Sequence, residues 1–317
     1  MAQVNTVLGP IHPDQLGTTS MHEHVLWNTP GWEYSPEANQ HFDAPKIFEK
    51  VYNDFIDYKA AGGQTVVDCS GIGIGRDPEL YALFSRRAKV NIVACTGFWA
   101  QEKILPYFAE RDIDYNTELF VRELTQGMGT TNIKAGVIKV GNGRTGVSPL
   151  EKRMYQAAAR AAKKTGCAVI THGINAAREH FDILLKEGLD AGRIVISHCD
   201  ALYNLDFERD KEIAQKGGYV AYDHIGIEKP WSPMDYAMPD AKRVELVKAF
   251  IEAGYLKQLV ISCDTNMYAY ALVHRGTPLC TIDHLLKRFV PLLREGGGTE
   301  EMIHTMLVET PKRILPF

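Results

Sequence analysis

Residues 167–173, "CAVITHG", show the pattern that decides the fold: an apolar, β-branched run that ends in a polar residue. Near-continuous runs of this kind are typical of strands buried on both faces, as in a parallel sheet. The pattern recurs along the whole chain, which indicates eight strands. The other seven runs are "GTTSMHEH" (17–24), "QTVVDCS" (64–70), "VNIVACTG" (90–97), "IKAGVIKVG" (133–141), "RIVISHCD" (193–200), "YVAYDHI" (219–225) and "QLVISCD" (258–264).

Helical segments separate these runs. Apolar residues recur at helical spacing in 44–62, 148–166, 177–188 and 240–254, and each of these segments ends at a glycine. Alternation of strand and helix, eight times over, favours an α/β fold of the (β/α)8 TIM-barrel type over an open doubly wound sheet. Since no linker or low-complexity stretch interrupts it, we predict a single domain over 1–317, with residues 1–15 as an N-terminal cap.

Composition limits the function classes. The 317 residues are 45% hydrophobic and 23% charged with a net charge of −4, so nothing favours nucleic acid or an anionic membrane. The N-terminus lacks the basic and apolar regions of a signal peptide, and no run of about 18 apolar residues predicts a membrane span. The six cysteines form no CxxC pair, which predicts reduced, buried thiols in a cytoplasmic protein.

Polar residues end most of the predicted strands. In a (β/α)8 barrel, the C-terminal strand ends carry the chemistry. Because residues i and i+2 of a strand face the same side, His22 and His24 should point together while Glu23 points away. The set of nitrogen and carboxylate groups predicts a metal site at one mouth of the barrel. Its members are His22, His24, Lys139, His172, His198, Asp223, His224 and Asp264.

Lys139 is unusual because it lies at the end of the apolar strand "AGVIKVG". A buried ammonium is costly unless it is paired or neutralised. One solution is a lowered pKa and a Schiff base with a carbonyl substrate. Another is reaction with carbon dioxide to a carbamate, which turns the cation into a ligand able to bridge two metals. The second explains more of the neighbouring residues, and a structural lysine that extends toward solvent is a third possibility.

Taken together, "GTTSMHEH", "GIGRD" (73–77), "KAGVIKVG", "ISHCD", "YDHIG" (222–226) and "ISCD" resemble the phosphotriesterase family of the amidohydrolase superfamily, including its lactonase branch. The resemblance spans essentially the whole chain. It implies two divalent metal ions, usually zinc, with His22, His24 and Asp264 on the more buried ion. It further implies that His172 and His198 hold the more exposed ion, and that carboxylated Lys139 and a hydroxide bridge the pair.

The same resemblance assigns catalytic roles. Asp264 would accept a proton from the bridging hydroxide and His224 would relay it outward. In phosphotriesterases proper, an aspartate three residues after the sixth-strand histidine completes this relay, but here that position is Ala201. Asp200 is the nearest substitute, although strand alternation points it elsewhere. In the lactonase branch an arginine commonly follows the seventh-strand aspartate, where this chain has His224.

These departures favour hydrolysis of a carboxylic ester, lactone or amide over hydrolysis of an organophosphate triester, which stays the alternative. A metal-free Schiff-base lyase that uses Lys139 is a more remote one. The family resemblance also favours a homodimer acting on a small molecule.

Loop residues at the mouth would bind the substrate. We predict an apolar pocket lined by aromatic and sulfur-containing side chains, under a lid formed by 226–240 and 265–280, which includes Trp231. In the glycine-rich loop "GIGIGRD" (71–77), by contrast, we expect Arg76 and Asp77 to be structural. The pocket residues are Trp27, Phe98, Trp99, Met267 and Tyr268. The histidines that do not end a strand, and are therefore excluded as ligands, are His12, His41, His180, His274, His284 and His304.

Overall fold

Twelve strands are assigned in the part of the chain that the structure, a computed structural model, describes: residues 2–36, 43–143, 145–173, 175–229, 237–270 and 280–317. Each of the eight predicted runs contains a strand, so this prediction is confirmed. The strands are β1 (Val4–Thr6), β2 (Gly9–Ile11), β3 (Thr19–Trp27), β4 (Thr65–Asp68), β5 (Asn91–Val93), β6 (Cys95–Phe98), β7 (Val137–Gly141), β8 (Val169–His172), β9 (Ile194–Ile196), β10 (Tyr219–Tyr222), β11 (Leu259–Ile261) and β12 (Asn266–Ala269).

The parallel strands are neighbours in chain order, as a (β/α)8 barrel requires. One ladder joins β6 through β11 and a second joins β12, β3, β4 and β5. Ala94 separates β5 from β6, which together form the third strand of the barrel. Between the eighth and first strands the regular ladder does not close, but the amide of Asp264 donates to the His22 carbonyl at 3.1 Å and the amide of His24 donates to the Thr265 carbonyl at 2.9 Å.

The helices follow the strands, and the four segments predicted from periodicity are all helical. The second of them shows how local sequence sets the limits: Ser148 and Glu151 form a capping box at its start, and Gly166 ends it at a φ of 83°. The helices are α1 (Ala44–Ala60), α2 (Pro78–Ala88), α3 (Pro106–Ala109), α4 (Ile113–Thr125), α5 (Pro149–Thr165), α6 (Ala177–Lys186), α7 (Phe207–Gln215), α8 (Asp240–Glu252), α9 (Val290–Glu295), α10 (Glu300–His304) and α11 (Thr310–Ile314).

Two apolar clusters divide the core. Successive strand residues alternate between them: Val66, Ile138 and Val169 belong to the larger cluster, which also holds most of the buried apolar helix residues, whereas Val67 and Val137 belong to the smaller one. The smaller cluster therefore fills the interior of the barrel. Its residues in the strands, or directly beside them in the case of Cys69 and Ala168, are Met21, Val67, Cys69, Val93, Cys95, Val137, Ala168, Ile170, Val195, Tyr219, Ala221 and Val260.

The N-terminal hairpin of β1 and β2 contributes Val4 to the interior cluster, next to Leu16, Ile314 and Leu315. That the chain is one domain with residues 1–15 as a cap stays a prediction. Among the described residues, no helix has the length and apolar character needed to span a membrane. All six cysteines are free and buried, as the spacing predicted.

Candidate metal centre

His22 and His24 face the same group, as strand alternation predicted. Their Nε2 atoms lie 3.4 and 3.2 Å from Oδ1 of Asp264. Both side chains are nearly inaccessible to solvent, whereas the Asp264 side chain is 18% exposed. Glu23, between the histidines, turns to the opposite side and contacts backbone instead. Three side chains from the first and eighth strands therefore present donor atoms to one point.

The other ring nitrogen of each histidine is held by a neighbouring strand. Nδ1 of His22 contacts Oδ2 of Asp223 at 2.7 Å, and Nδ1 of His24 contacts Oγ of Ser70 at 2.9 Å. Ser70 donates its single proton to the Leu26 carbonyl at 2.7 Å, so its oxygen accepts from His24. Both Nδ1 atoms are then donors, which leaves a lone pair on each Nε2 facing Asp264.

His172 and His198 form a second pair at the ends of the fifth and sixth strands. Nδ1 of His172 lies 2.7 Å from Nε2 of His198, whose own Nδ1 contacts Oδ1 of Asp223 at 2.9 Å. Asp223 thus orients two histidines, His22 and His198. His198 has a φ of +61°, a left-handed conformation that is unusual for any residue except glycine. Such strain occurs most often at functional sites.

Lys139 lies inside this cluster and is completely buried. Its ammonium donates to Nε2 of His22 at 2.8 Å and to the Thr171 carbonyl at 2.9 Å. The geometry excludes the interpretation in which the amine extends toward solvent. It leaves the two chemical interpretations, a carbamate and a Schiff base, because both require the amine to face the site.

His224 and Asp264 are adjacent, with Nε2 of the histidine 3.5 Å from Oδ2 of the aspartate. Asp200, the expected substitute for the missing relay aspartate, has a different position. Its carboxylate accepts the backbone amides of Asp223 and His224 and pairs with Arg243 at 2.8 Å. The described contacts of Asp200 therefore hold the seventh strand end, and Ala201 is fully buried beside it.

The electrostatics keep the imidazoles of His22 and His172 neutral and the carboxylate of Asp264 ionised. Burial, reinforced by Lys139, lowers the pKa of His22 to about 3. Burial and the neighbouring His198 hold the pKa of His172 well below its ordinary value. Burial alone would raise the pKa of Asp264, but His22, His224 and His24 lower it far below the usual range. Neutral imidazole and ionised carboxylate are the forms that bind metal.

The donor set fits divalent transition-metal ions. His22, His24 and Asp264 offer ligand atoms that all lie within 4.8 Å of one another, as do His198, His224 and Asp264. Oδ1 of Asp264 is buried and accepts no hydrogen bond from the described residues, although two imidazole nitrogens face it. A bound cation would satisfy this oxygen and the lone pair on Nε2 of His24, whereas Nε2 of His22 accepts from Lys139. Imidazole and carboxylate ligands are those that zinc accepts.

The predicted pocket residues divide into two groups. Trp99 is half-buried with its ring centroid 4.5 Å from that of His172, and half-buried Trp27 has the ammonium of Lys103 5.6 Å above its ring. Tyr268 is also half-buried and packs against Tyr270. Of these three side chains, Trp99 is shown in contact with a candidate ligand, and a substrate-binding role for Trp27 and Tyr268 stays a prediction.

Phe98 and Met267 have a different position from the one expected. Each is 1% exposed within the larger core cluster, and Phe98 packs against Phe108 and Phe120. Their contacts are those of core residues, and a role in binding stays a prediction. Trp231 and the stretches 230–236 and 271–279 of the two proposed lid segments lie outside the described residues.

Arg76 and Asp77 have the structural contacts that were expected. Arg76 pairs with Glu123 through two hydrogen bonds of 2.7 and 3.0 Å, and Asp77 caps α2. Among the excluded histidines, His180 contacts Asn142 at 2.6 Å and His284 contacts Asp240 at 2.7 Å. His12 caps a short helical turn and His304 lies 3.3 Å from Glu309. His41 and His274 lie outside the described residues.

Ser70, Arg243 and the orienting role of Asp223 were not predicted from the sequence. Ser70 is the last residue of the second run and Asp223 follows the apolar part of the seventh, so their positions were visible although their partners were not. Arg243 gave no signal, because an arginine in an amphipathic helix is ordinarily a surface residue, whereas here it is fully buried.

A barrel whose strand ends present histidines, a lysine and carboxylates is typical of one class of proteins, those with a metal site. Comparison with known proteins identifies the family within that class. The family model described as Phosphotriesterase family matches residues 2–315. A phosphotriesterase homology protein of Mycobacterium tuberculosis is 32% identical, over 99% of this chain and 98% of that protein. The N-acetyltaurine hydrolase of Xenopus tropicalis is 30% identical, over 99% and 98%, and the aryldialkylphosphatase of Saccharolobus solfataricus is 29% identical, over 96% of each. The chain belongs to the phosphotriesterase family.

Proposed function

We propose that this chain is a metal-dependent hydrolase that cleaves a carboxylic ester, lactone or amide bond at a binuclear metal centre. The observation that carries the proposal is the convergence of His22, His24 and Asp264 within 4.8 Å, with a second imidazole pair and Lys139 beside them. Membership of the phosphotriesterase family supports it.

Two groups of residues would hold the ions, for which zinc is the proposed metal. His22, His24 and Asp264 form one group, and His172 and His198 form the other. Lys139, as a carbamate derived from carbon dioxide, would be shared between them. The carbamate is supported by the position of the amine, which faces His22 from within the cluster.

The residues around the centre would manage protons. Divalent ions held there would lower the pKa of a bound water from about 15.7 toward 7 and polarise a carbonyl oxygen. Asp264 is the proton acceptor, because its carboxylate is ionised and its side chain is the exposed member of the first group. His224 takes the proton from Oδ2 of Asp264, across a separation of 3.5 Å.

The substrate class is inferred from two features. Relatives named N-acetyltaurine hydrolase match this chain over nearly its full length and nearly the full length of their own. Their name denotes cleavage of an amide bond, which supports an acyl substrate. Ala201 stands where phosphotriesterases proper have the relay aspartate, which counts against organophosphate triesters. That second activity is kept as a candidate because one relative is named aryldialkylphosphatase.

A substrate panel tests the proposal. The purified protein would be assayed with lactones, aryl esters, N-acyl amino acids and a paraoxon-type triester, before and after treatment with a chelator. We expect about two metal equivalents per chain, highest kcat/KM on an acyl substrate, and loss of activity that zinc restores. A triester as the best substrate would establish the alternative, and activity unaffected by the chelator would contradict the metal centre.

The Schiff-base lyase is tested in the same preparation. Borohydride with a carbonyl compound would trap a lyase as a covalent adduct on Lys139, detectable by mass spectrometry. We expect no adduct, and we expect instead a mass increase for the carbamate that disappears on acidification. A borohydride-stable adduct at residue 139 would favour the lyase.

We also propose that the protein is a cytoplasmic homodimer that binds neither nucleic acid nor membrane. Six free, buried cysteines are typical of a reducing compartment, and the resemblance supports the dimer. Sedimentation equilibrium should give twice the chain mass, and cell fractionation should place the protein with the cytoplasmic markers.

A further inference from the structure

Glu23 lies between the two histidines of the first strand and is completely buried. Its carboxylate accepts three hydrogen bonds, from Oγ of Ser20 at 2.5 Å, from the amide of Cys263 at 3.1 Å and from the amide of Thr265 at 2.8 Å. The two amides belong to the eighth strand end, so Glu23 joins the last strand of the barrel to the first.

The residue between those two amides is Asp264, the carboxylate of the candidate metal site. It has a φ of +49°, in the left-handed region that residues with a Cβ seldom adopt. Its own amide donates to the His22 carbonyl at 3.1 Å. Three consecutive backbone amides are thus accepted by two consecutive residues, His22 and Glu23. A concave row of successive amides around a left-handed residue is a known way for backbone to bind an anion.

We propose that Glu23 is a positioning residue: it holds Asp264 in the left-handed conformation and thereby directs the Asp264 carboxylate onto His22 and His24. The inference rests on the proposed function only in that Asp264 is taken as a metal ligand. One carboxylate that accepts the amides on both sides of Asp264 fixes the peptide planes that determine where the Asp264 side chain points. The middle residue of "HEH" therefore acts on the same site as its neighbours, from the opposite face of the strand.

Glu23→Gln is the sharpest variant, because the amide has nearly the same shape but only one accepting oxygen. Its NH2 group would face a backbone N–H, so the two amides cannot both be accepted. The matched control is Glu151→Gln. Glu151 is also buried, and it accepts the amides of Gln101, Gly143 and Ser148 at 2.8–2.9 Å, with no described hydrogen bond to the candidate ligands.

The first measurement needs no metal. Hydrogen exchange of the apo-protein, followed by mass spectrometry on peptides covering 259–268, should be at least about tenfold faster in Glu23→Gln than in wild type. Glu151→Gln should leave exchange in this segment unchanged. Equal exchange in wild type and Glu23→Gln would overturn the proposal. Because no ion is present, this result is independent of whether the proposed function is correct.

The second measurement is metal binding, by chelator competition with Zn²⁺ and by the visible spectrum with Co²⁺. Glu23→Gln should weaken affinity about 10- to 100-fold and change the Co²⁺ spectrum, while Glu151→Gln changes neither. In the Asp264→Ala background, Glu23→Gln should weaken binding no further, since Glu23 acts through Asp264. If the double variant bound metal more weakly than Asp264→Ala alone, Glu23 would not act through Asp264.

Two outcomes are kept apart by this design. If the wild-type protein binds no metal but Glu23→Gln accelerates exchange at 259–268, the positioning role stands and the proposed function fails. If Glu23→Gln does not fold, Glu23→Asp replaces it. The shorter side chain keeps the carboxyl group but cannot reach both amides, and the same exchange and affinity changes are expected. Wild-type behaviour of Glu23→Asp in both measurements would count against the proposal.

Discussion

The ends of the fourth and fifth strands differ from the ends of the sixth and eighth. Lys139 lies within β7, and His172 is the last residue of β8. By contrast, β9 ends at Ile196 and β11 at Ile261, and the next candidate ligands, His198 and Asp264, lie beyond those ends at φ values of +61° and +49°. Two candidate ligands are thus part of regular strand, and two lie beyond strand ends in the left-handed backbone conformation; we call the latter bent ends.

The difference shows two ways of directing a side chain to one point. Val137 and Ile170 belong to the interior cluster, and Lys139 and His172 lie two residues further on the same face, so strand alternation alone directs them inward. The bent ends have no such guide. Instead, Asp223 accepts the amide of His198 at 2.8 Å, and Glu23 holds the amides on both sides of Asp264.

The regular ends are tested first, with the largest expected effect. Lys139→Ala removes a group buried at the centre of the cluster, and we expect loss of bound metal together with a fall in kcat on the order of 10³-fold, since metal activation supplies several kcal/mol. Short carboxylic acids should restore part of the activity by occupying the vacated space. Metal analysis and kcat with and without propionate are the measurements.

Val137→Ala is the control for that variant, on the same strand and the same face but in the apolar layer. It should lower the melting temperature and leave the metal content at the wild-type level. Unchanged metal content in Lys139→Ala would contradict its role as a shared ligand.

Arg243 supports the seventh strand end indirectly, through its ion pair with Asp200, and the next prediction concerns the loss of that pair. Arg243→Met leaves the buried carboxylate of Asp200 without its cation, and breaking such a pair costs about 3–5 kcal/mol of unfolding free energy. Urea denaturation measures the loss. The double variant Asp200→Asn/Arg243→Met should recover part of it, and a double variant less stable than Arg243→Met would contradict the pairing as the cause.

These contacts also show which parts of the fold and the candidate site could be predicted from the sequence. The eight strands, the joint direction of His22 and His24, and the inward Lys139 follow from periodicity, which is a local property of the chain. The left-handed conformations at His198 and Asp264 could not be predicted in this way, because each depends on a carboxylate that a neighbouring strand supplies. For the same reason, the alternation argument for Asp200 could not identify its backbone and Arg243 partners.

The pocket shows a second limit. Phe98 and Met267 were predicted to line it and lie in the core, whereas Trp99 lies beside His172. An apolar residue at a strand end has the same sequence pattern whether it faces a ligand or the helix layer. Only the packing of the surrounding helices separates the two cases.

Asp223 is the next test, since one carboxylate supports both a regular and a bent end. Asp223→Asn keeps the shape but removes the charge shared by His22 and His198. We expect metal affinity to fall about 10- to 100-fold, as found when the partners of ligating histidines are removed. Chelator competition measures it. Asp210→Asn, a buried carboxylate paired with Arg209, is the control and should retain wild-type affinity.

The smallest effect is expected at Ser70, which supports His24 on the regular first strand. Its hydroxyl accepts from Nδ1 of His24, as the carboxylate of Asp223 does for His22, but it carries no charge. Hydrogen bonds to an ionised acceptor are about twice as strong as neutral ones, so Ser70→Ala should weaken metal binding by about tenfold or less. The same competition assay measures it, and Ser70→Thr, which keeps a hydroxyl, should bind as wild type does. If Ser70→Ala weakened binding more than Asp223→Asn, the charge on the accepting group would not be what determines how firmly the two histidines of the first strand are held.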